Sequence, residues 1–296
     1  MGYSKEDGKD HEQEAKKPDP IEAAKRKAAY MAVKDHFRSD MRFVGIGSGS
    51  TIVYGVEAIS EHLKKNPPPS GHMNWFVPTG WNSRQTIINA GLNPIAFDSL
   101  PADAMIEVAF DGADEVDEEL NCIKGGGACL FQEKLVACRS KKFVCIADYR
   151  KDQKRLLTKW PSIPIEVAPI AHMSVLRELK ILGSENPKLR EHSMAKTGPI
   201  QTDQSFYIID APFKTLLLKS ELRDGKDGSG KDGVWDVETL ATRIKTINGV
   251  LEVGLFNGLN GDEAQAAGLQ GGPKPVAVYF GLEDGEVSVK NAKDVK

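Results

Sequence analysis

Residues 41–51 read Met41-Arg42-Phe43-Val44-Gly45-Ile46-Gly47-Ser48-Gly49-Ser50-Thr51. Met41 to Ile46 is a short apolar run of strand length. Glycines then alternate with hydroxyl side chains, and Thr51 to Lys64 carries its apolar residues at helical spacing. Strand, glycine turn and helix open a βα unit, and the residues around it repeat the alternation. Upstream, Ile21, Ala24, Ala28, Met31, Ala32 and Phe37 recur at helical spacing between lysines and arginines, predicting an amphipathic opening helix. Downstream, Met73 to Val77 reads as a strand and Asn82 to Ala90 as a helix. Pro94 to Phe97, Ala104 to Phe110 and Phe143 to Ala147 read as strands, and Ala128 to Ala137 as a helix. Continuously apolar strands alternating with helices predict a parallel sheet covered on both faces, an α/β fold of Rossmann-like type.

The rhythm changes near Pro161 to Pro164. Strand Ile163 to Val167, helix Ala171 to Leu182, a hairpin of Pro199 to Thr202 with Phe206 to Asp210, helix Val237 to Ile247 and strand Val250 to Phe256 give a β-α-β-β-α-β order. That is the order of a ferredoxin-like α+β unit. Lys219 to Gly233 is a Gly, Asp and Lys run without apolar pattern, read as a flexible surface loop. A last strand, Val276 to Phe280, is placed to rejoin the first sheet. The expected organisation is a charged, disordered tail over residues 1–20, a Rossmann-like catalytic domain over 21–163 plus 257–292, and a smaller ferredoxin-like domain over 164–256.

Composition narrows the function classes. The 296 residues carry 39 basic and 42 acidic side chains, a formal charge of -3, so no global footprint for a nucleic-acid backbone exists and an anionic ligand must be held locally. No apolar stretch approaches the roughly 20 residues of a membrane helix. The N-terminus lacks the apolar core of a signal peptide, and Glu6 stands where a myristoylation signal wants Ser or Thr. Four cysteines, Cys122, Cys129, Cys138 and Cys145, share one apolar region without metal-ligand spacing. They read as reduced, buried thiols of a cytoplasmic protein, with no metal site.

Four polar clusters each follow a predicted strand or open a helix: Gly45 to Thr51, Asp111-Gly112-Ala113-Asp114-Glu115, Lys124-Gly125-Gly126-Gly127 before the helix bearing Glu133, and Asp148 to Lys151. In an open parallel sheet the ligand crevice lies beyond the carboxyl ends of the strands, so all four are expected to meet. The first resembles a phosphate cradle, with Ser48, Ser50 and Thr51 hydroxyls beside a helix N-terminus. A tight turn explains the same glycines, and Ser50 breaks the dinucleotide pattern. Asp111 and Asp114 follow a buried strand directly, whereas Asp117 to Glu119 read as a solvated acidic loop. The order of a calcium loop is absent. Glu133 lies on a largely apolar helix, where an acid is either functional or paired with a lysine such as Lys134 or Lys141. Lys124 is either a surface lysine at a helix entrance or a cation aimed at a developing oxyanion.

In order, Gly-Ile-Gly-Ser-Gly-Ser-Thr, Asp-Gly-Ala-Asp-Glu, Lys-Gly-Gly-Gly-Ala with Glu133-Lys134, and Ala147-Asp148 with Lys151 resemble the motif set of the type A ribose-5-phosphate isomerase family. The similarity runs from about Ile21 to Val287, takes in Pro164-Ile165-Glu166-Val167 and Gly254-Leu255-Phe256, and is to eukaryotic members, fungi included. The resemblance implies a cofactor-free and metal-free aldose-ketose isomerisation of ribose 5-phosphate to ribulose 5-phosphate through an enediol, in the non-oxidative pentose phosphate pathway. It implies Glu133 as general base, Asp111 with Asp114 as the acid/base pair for ring opening, and Lys124 as the stabiliser of the enediolate. Substrate binding is implied for Ser48, Gly49, Ser50, Thr51, Asp111, Gly112, Ala113, Asp114, Lys124, Gly125, Gly126, Gly127 and Lys151, and for Lys25, which the opening helix sends toward the phosphate. The expected partner is a small-molecule sugar phosphate, without nucleic acid or membrane, and a homo-oligomer, dimer or tetramer, is expected. Departures from the family pattern are Ser48 where Thr is common, the charged tail and the long 219–233 loop. A non-catalytic sugar-phosphate-sensing module of related fold is the alternative. It would need the pocket but neither Glu133 nor Asp111.

Overall fold

Helix α1 (Pro20–His36) opens on Asp19, whose carboxylate accepts the Ile21 N–H at 3.0 Å, with Pro20 in the first turn. Asp19 and Pro20, assigned to the tail by composition, thus start the helix. The computed structural model describes residues 19–191 and 197–295, so the rest of the predicted tail lies outside the described residues. Ala24, Ala28, Ala29, Ala32 and Val33 form the buried stripe that packs on the sheet.

Then follow β1 (Phe43–Ile46), α2 (Ile52–Lys65), β2 (Trp75–Pro78), α3 (Trp81–Asn89), β3 (Val108–Asp111), β4 (Glu115–Val116), β5 (Cys122–Ile123), α4 (Leu130–Cys138) and β6 (Phe143–Asp148). The second half holds β7 (Ile163–Val167), α5 (His172–Ile181), β8 (Lys188–Leu189), β9 (Tyr207–Ala211), α6 (Lys219–Arg223), α7 (Val237–Lys245), β10 (Val250–Val253), β11 (Leu255–Phe256), α8 (Gly261–Ala266), β12 (Ala277–Gly281) and β13 (Val287–Asn291). The main sheet has the order β13-β12-β6-β3-β1-β2, parallel throughout except for the edge strand β13. The chain leaves β1 to one side for β2 and then crosses to the other for β3. The carboxyl ends of β1 and β3 therefore flank the switch point where such sheets bind ligands.

A second sheet, β10-β7-β9-β8, is antiparallel and has the strand order of a ferredoxin-like unit. Its core of Ile165, Val175, Leu179, Leu240, Ile244 and their neighbours is distinct from the clusters on either face of the main sheet. A third, small sheet, β11-β5-β4, was not foreseen. The predicted single strand 250–256 breaks at Gly254, whose N–H binds Pro164 O at 2.7 Å and whose carbonyl accepts the Lys124 N–H at 2.9 Å. β10 therefore stays in the second sheet while β11 joins the third.

Other expectations need correction. The partner of β9 at the sheet edge is β8, not residues 199–202, of which Pro199 and Gln201 make only isolated bridges. A two-residue strand with an exposed lysine carries no periodic signal. Pro94 to Phe97 is no strand: Pro94 makes one bridge to Phe76, and Phe97–Ser99 is a 3-10 turn. Lys219 to Gly233 begins as helix α6. The Glu119 carboxylate accepts the Lys219 and Ser220 N–H groups at 2.9 and 2.8 Å, so the loop is anchored to the acidic run. Cys122 and Cys145 are buried as expected, but Cys129 and Cys138 are only partly so; all four are free.

Within the acidic run, Asp117 is buried rather than solvated, and its oxygens accept N–H groups from Glu119, Asn121 and the Asn121 side chain. Burial outweighs these bonds and pushes its carboxyl up to about 7. A carboxyl that keeps its proton to higher pH when folded contributes stability that is complete below roughly pH 4 and is lost as pH rises toward its folded value. Asp117→Asn removes that loss, so its Tm relative to wild type is expected to be more favourable at pH 8 than at pH 4. A pH-independent difference in thermal melts would show that Asp117 ionises in the ordinary carboxylate range.

Candidate active site

At the end of β1 the chain turns so tightly that Gly47 donates to Phe110 O at 2.8 Å, and a Cβ built on Gly47 would lie 1.9 Å from Asp111 Oδ1. Only glycine fits there. Gly126 is the counterpart on the other side. Its N–H binds Asp114 Oδ2 at 2.8 Å, and a Cβ would fall 2.8 Å from Asp114 Oδ1. Both glycines let backbone pack directly on the carboxylates that follow β3.

Between those turns lies a buried triad. The Lys124 ammonium, one residue beyond β5, stands 2.8 Å from Asp111 Oδ2 and 3.4 Å from Glu133 Oε2, and donates to Gly112 O at 2.6 Å. All three residues are at most 5% exposed. Ser48 Oγ donates to Glu133 Oε1 at 3.0 Å, and the Thr79 hydroxyl stands behind it at 3.4 Å. Asp111 Oδ2 and Glu133 Oε2 are buried against the Lys124 ammonium and make no other hydrogen bond among the described residues; both residues line the cavity.

Electrostatics follow from this packing. Burial pushes the Asp111 carboxyl up to about 7, against the attraction of Lys124. Burial raises Asp114 as well, opposed by Lys124 and the Gly126 N–H. Burial works against the Lys124 ammonium, but Asp111 and Glu133 outweigh it and hold the amine protonated beyond the ordinary lysine range. The site thus holds a fixed cation, a carboxyl able to exchange a proton near neutrality and a second carboxyl on a helix. Such a set can move a proton between adjacent carbons and stabilise the oxyanion formed on the way.

The cavity has a volume of about 310 Å³, and every residue expected at the site lines it: Lys25, Ser48 to Thr51, Asp111 to Asp114, Lys124 to Gly127, Glu133 and Lys151. Glu133 is paired across the site with Lys124 rather than with either lysine near it in sequence. Lys134 turns away to Glu252, at 3.3 Å. Lys25 is held by Glu22 at 2.8 Å, and the Lys151 ammonium lies 4.7 Å over the Trp160 ring. Arg150 also lines the cavity, paired with Asp148 at 2.6 Å. It belongs to the same strand-end cluster as Lys151 but matches none of the binding positions the family resemblance implies. Thr79 carried no motif at all. Among the described residues no group of three His, Cys, Asp or Glu side chains is placed to hold a metal ion.

A family model described as ribose 5-phosphate isomerase A (phosphoriboisomerase A) matches residues 75–270. The chain belongs to the ribose 5-phosphate isomerase A family. It is 44% identical over 273 residues to the ribose-5-phosphate isomerase of Mycosarcoma maydis, covering 92% of this chain and 82% of the relative. Identity to the ribose-5-phosphate isomerase of Candida albicans is 42% over 271 residues, covering 91% and 96%. Among solved structures, ribose 5-phosphate isomerase A of Methanocaldococcus jannaschii superposes with a TM-score of 0.70 at 28% identity over 91% of this chain and 99% of that one. A D-ribose-5-phosphate isomerase in complex with phospho-erythronic acid gives 0.71 at 30% identity over 92% and 99%. The mainly parallel sheet is thus that of a family of isomerases.

Proposed function

We propose that this chain interconverts D-ribose 5-phosphate and D-ribulose 5-phosphate through an enediolate, a reaction consistent with the non-oxidative pentose phosphate pathway. The observation that carries the reading is the Lys124 ammonium set between the Asp111 and Glu133 carboxylates on the cavity wall. Glu133 takes the proton from C2 of the open-chain aldose. The C2–H electron pair becomes the second C1–C2 bond and the carbonyl π pair moves onto O1, beside Lys124. Asp111, with Asp114 next to it, opens the ring and exchanges the hydroxyl protons. Glu133 then returns its proton to C1, and the carbonyl re-forms at C2. A metal is not required, because Lys124 supplies the electrophile. The direct test is a coupled assay of ribulose 5-phosphate formation with EDTA present. Turnover unchanged by EDTA is expected, and loss restored by one divalent ion would overturn the metal-free mechanism.

The phosphate is assigned to the cationic side of the cavity, to the Ser48–Thr51 turn at the start of α2 with Lys25 and Lys151. Charge-assisted contacts of this kind are worth about 1.5–3 kcal/mol each. Lys151→Ala is therefore expected to raise KM by about tenfold or more while kcat falls less. Steady-state kinetics that leave KM unchanged would remove Lys151 from the grip.

We also infer a cytoplasmic homo-oligomer, dimer or tetramer. The four free thiols suit a reducing compartment, and Ile170, Met173 and Ile181 expose large apolar side chains around α5. No helix among the described residues is long and apolar enough to cross a membrane. The separate cores of the two larger sheets support two domains, 21–163 plus 257–292 and 164–256.

A further inference from the structure

Glu133 lies in the first turn of α4, the part of a helix that frays most readily. Its N–H makes an i→i−4 bond to Cys129 O at 2.9 Å, and the N–H groups before it have no carbonyl within the helix to accept them. An N-cap side chain normally serves one of those donors. Cys129, at the N-cap, makes no such bond, and Ala128 before it is in the left-handed region at φ 58°. A nine-residue helix has little stability of its own. By its sequence alone, the helix that holds the base starts badly.

The missing cap arrives from another sheet. Glu166, in the middle of β7, is fully buried, and its Oε2 accepts the Phe131 N–H at 2.9 Å. Phe131 is the second residue of α4, so the Glu166 carboxylate does there what a capping side chain would do, and its charge suits the positive end of the helix. Its other oxygen, Oε1, is buried without a hydrogen-bond partner among the described residues. Burial pushes this carboxyl up, against the pull of the Thr202 hydroxyl and the Phe131 N–H. An acid kept at such cost, off the cavity wall and unused by the chemistry, calls for another role.

We propose that Glu166 is a positioning residue for the isomerisation: by capping α4 from β7, it fixes the first turn so that the Glu133 carboxylate stays between Ser48 Oγ and the Lys124 ammonium. A second anchor follows the base directly. Lys134 donates to Val253 O at 2.5 Å and to Leu255 O at 2.7 Å, the residues on either side of the Gly254 break. The second sheet, joined at Leu255 by the third, thus grips α4 on both sides of Glu133. Its contribution to the reaction is to hold the base, while the main sheet holds the phosphate.

The inference rests on Glu133 being the base, so the test includes Glu133→Gln as a reference. Glu166→Gln keeps an oxygen for the Phe131 N–H. Glu166→Asp keeps the charge but is one methylene too short. Because displacement of a reacting group by a fraction of an ångström to 1 Å costs one to two orders of magnitude, E166D is expected to lower kcat about tenfold or more. Its KM should stay within about twofold, and amide exchange at residues 130–133 should quicken. E166Q is expected to keep kcat within about threefold and exchange unchanged. A folded E166D with wild-type kcat overturns the proposal, as does E166Q falling as far as E166D, or KM rising in step with the loss of kcat. Should E166D not fold, E166Q decides: retained kcat with unchanged exchange supports the cap, and a larger loss sinks it. An active E133Q would instead sink the base assignment itself, which keeps the two failures apart.

Discussion

Glu133→Gln is expected to lower kcat by about 10²–10⁴-fold, the usual worth of a positioned general base, with KM and Tm changed little. Glutamine has the same shape, and its amide oxygen can still accept the Ser48 hydroxyl that now reaches Oε1 at 3.0 Å. Lys124 remains neutralised by Asp111 at 2.8 Å, so no buried charge is left unpaired. What disappears is the ability to take a proton from carbon. If Glu133 were merely the structural partner of Lys124, the variant would instead melt earlier and retain its turnover per folded molecule. Measuring kcat, KM and Tm on one preparation separates the cases. A stable variant with near wild-type kcat would rule out Glu133 as the base.

Glu133 also shows where sequence reasoning ran out. That it mattered was legible, because an acid among Leu130, Val136 and Ala137 has no cheap place to go. Its partner was not, since Lys134 and Lys141 are near in sequence while Lys124 reaches the site from a two-residue strand of an unforeseen sheet. Strands that short have no periodicity to read. The same limit hid β8 and the break at Gly254. The glycine turn at 45–51 was legible because a buried strand that ends in alternating glycines and hydroxyls admits few structures in a parallel sheet. Asp117 misled for the opposite reason. It stands beside Glu118 and Glu119 and looks solvated, and only the closure of its carboxylate onto Asn121 buries it. Glu166 sat in a recognised motif, yet its use as a cap for a distant helix depends on β7 passing the start of α4, which no local pattern encodes.

Lys124→Met should combine the largest loss of rate with a loss of stability. Methionine matches the lysine stem but removes the charge proposed to stabilise the developing oxyanion, and losing one such preorganised group costs about 10²–10³ in kcat. The folded protein suffers separately. Asp111 and Glu133 would remain buried without the cation that stands 2.8 and 3.4 Å from them, and breaking a buried pair in this way typically costs about 3–5 kcal/mol. That cost depends on pH with a definite sign. Lys124 is what pulls Asp111 down, and with Lys124 present burial still holds the carboxyl up to about 7. Without it Asp111 is driven further toward the protonated form. Groups whose folded pKa is raised contribute stability that is present at acid pH and lost as pH rises through the folded value. The Tm deficit of Lys124→Met is therefore expected to be large at pH 8 and to shrink toward pH 5, while activity stays low at both. Glu133→Gln has no reason to show that recovery, because it leaves the lysine with a partner. Melting curves of both variants at the two pH values provide the check. A Lys124→Met protein whose deficit is the same at pH 5 and pH 8 would mean that Asp111 does not depend on the lysine for its ionised form.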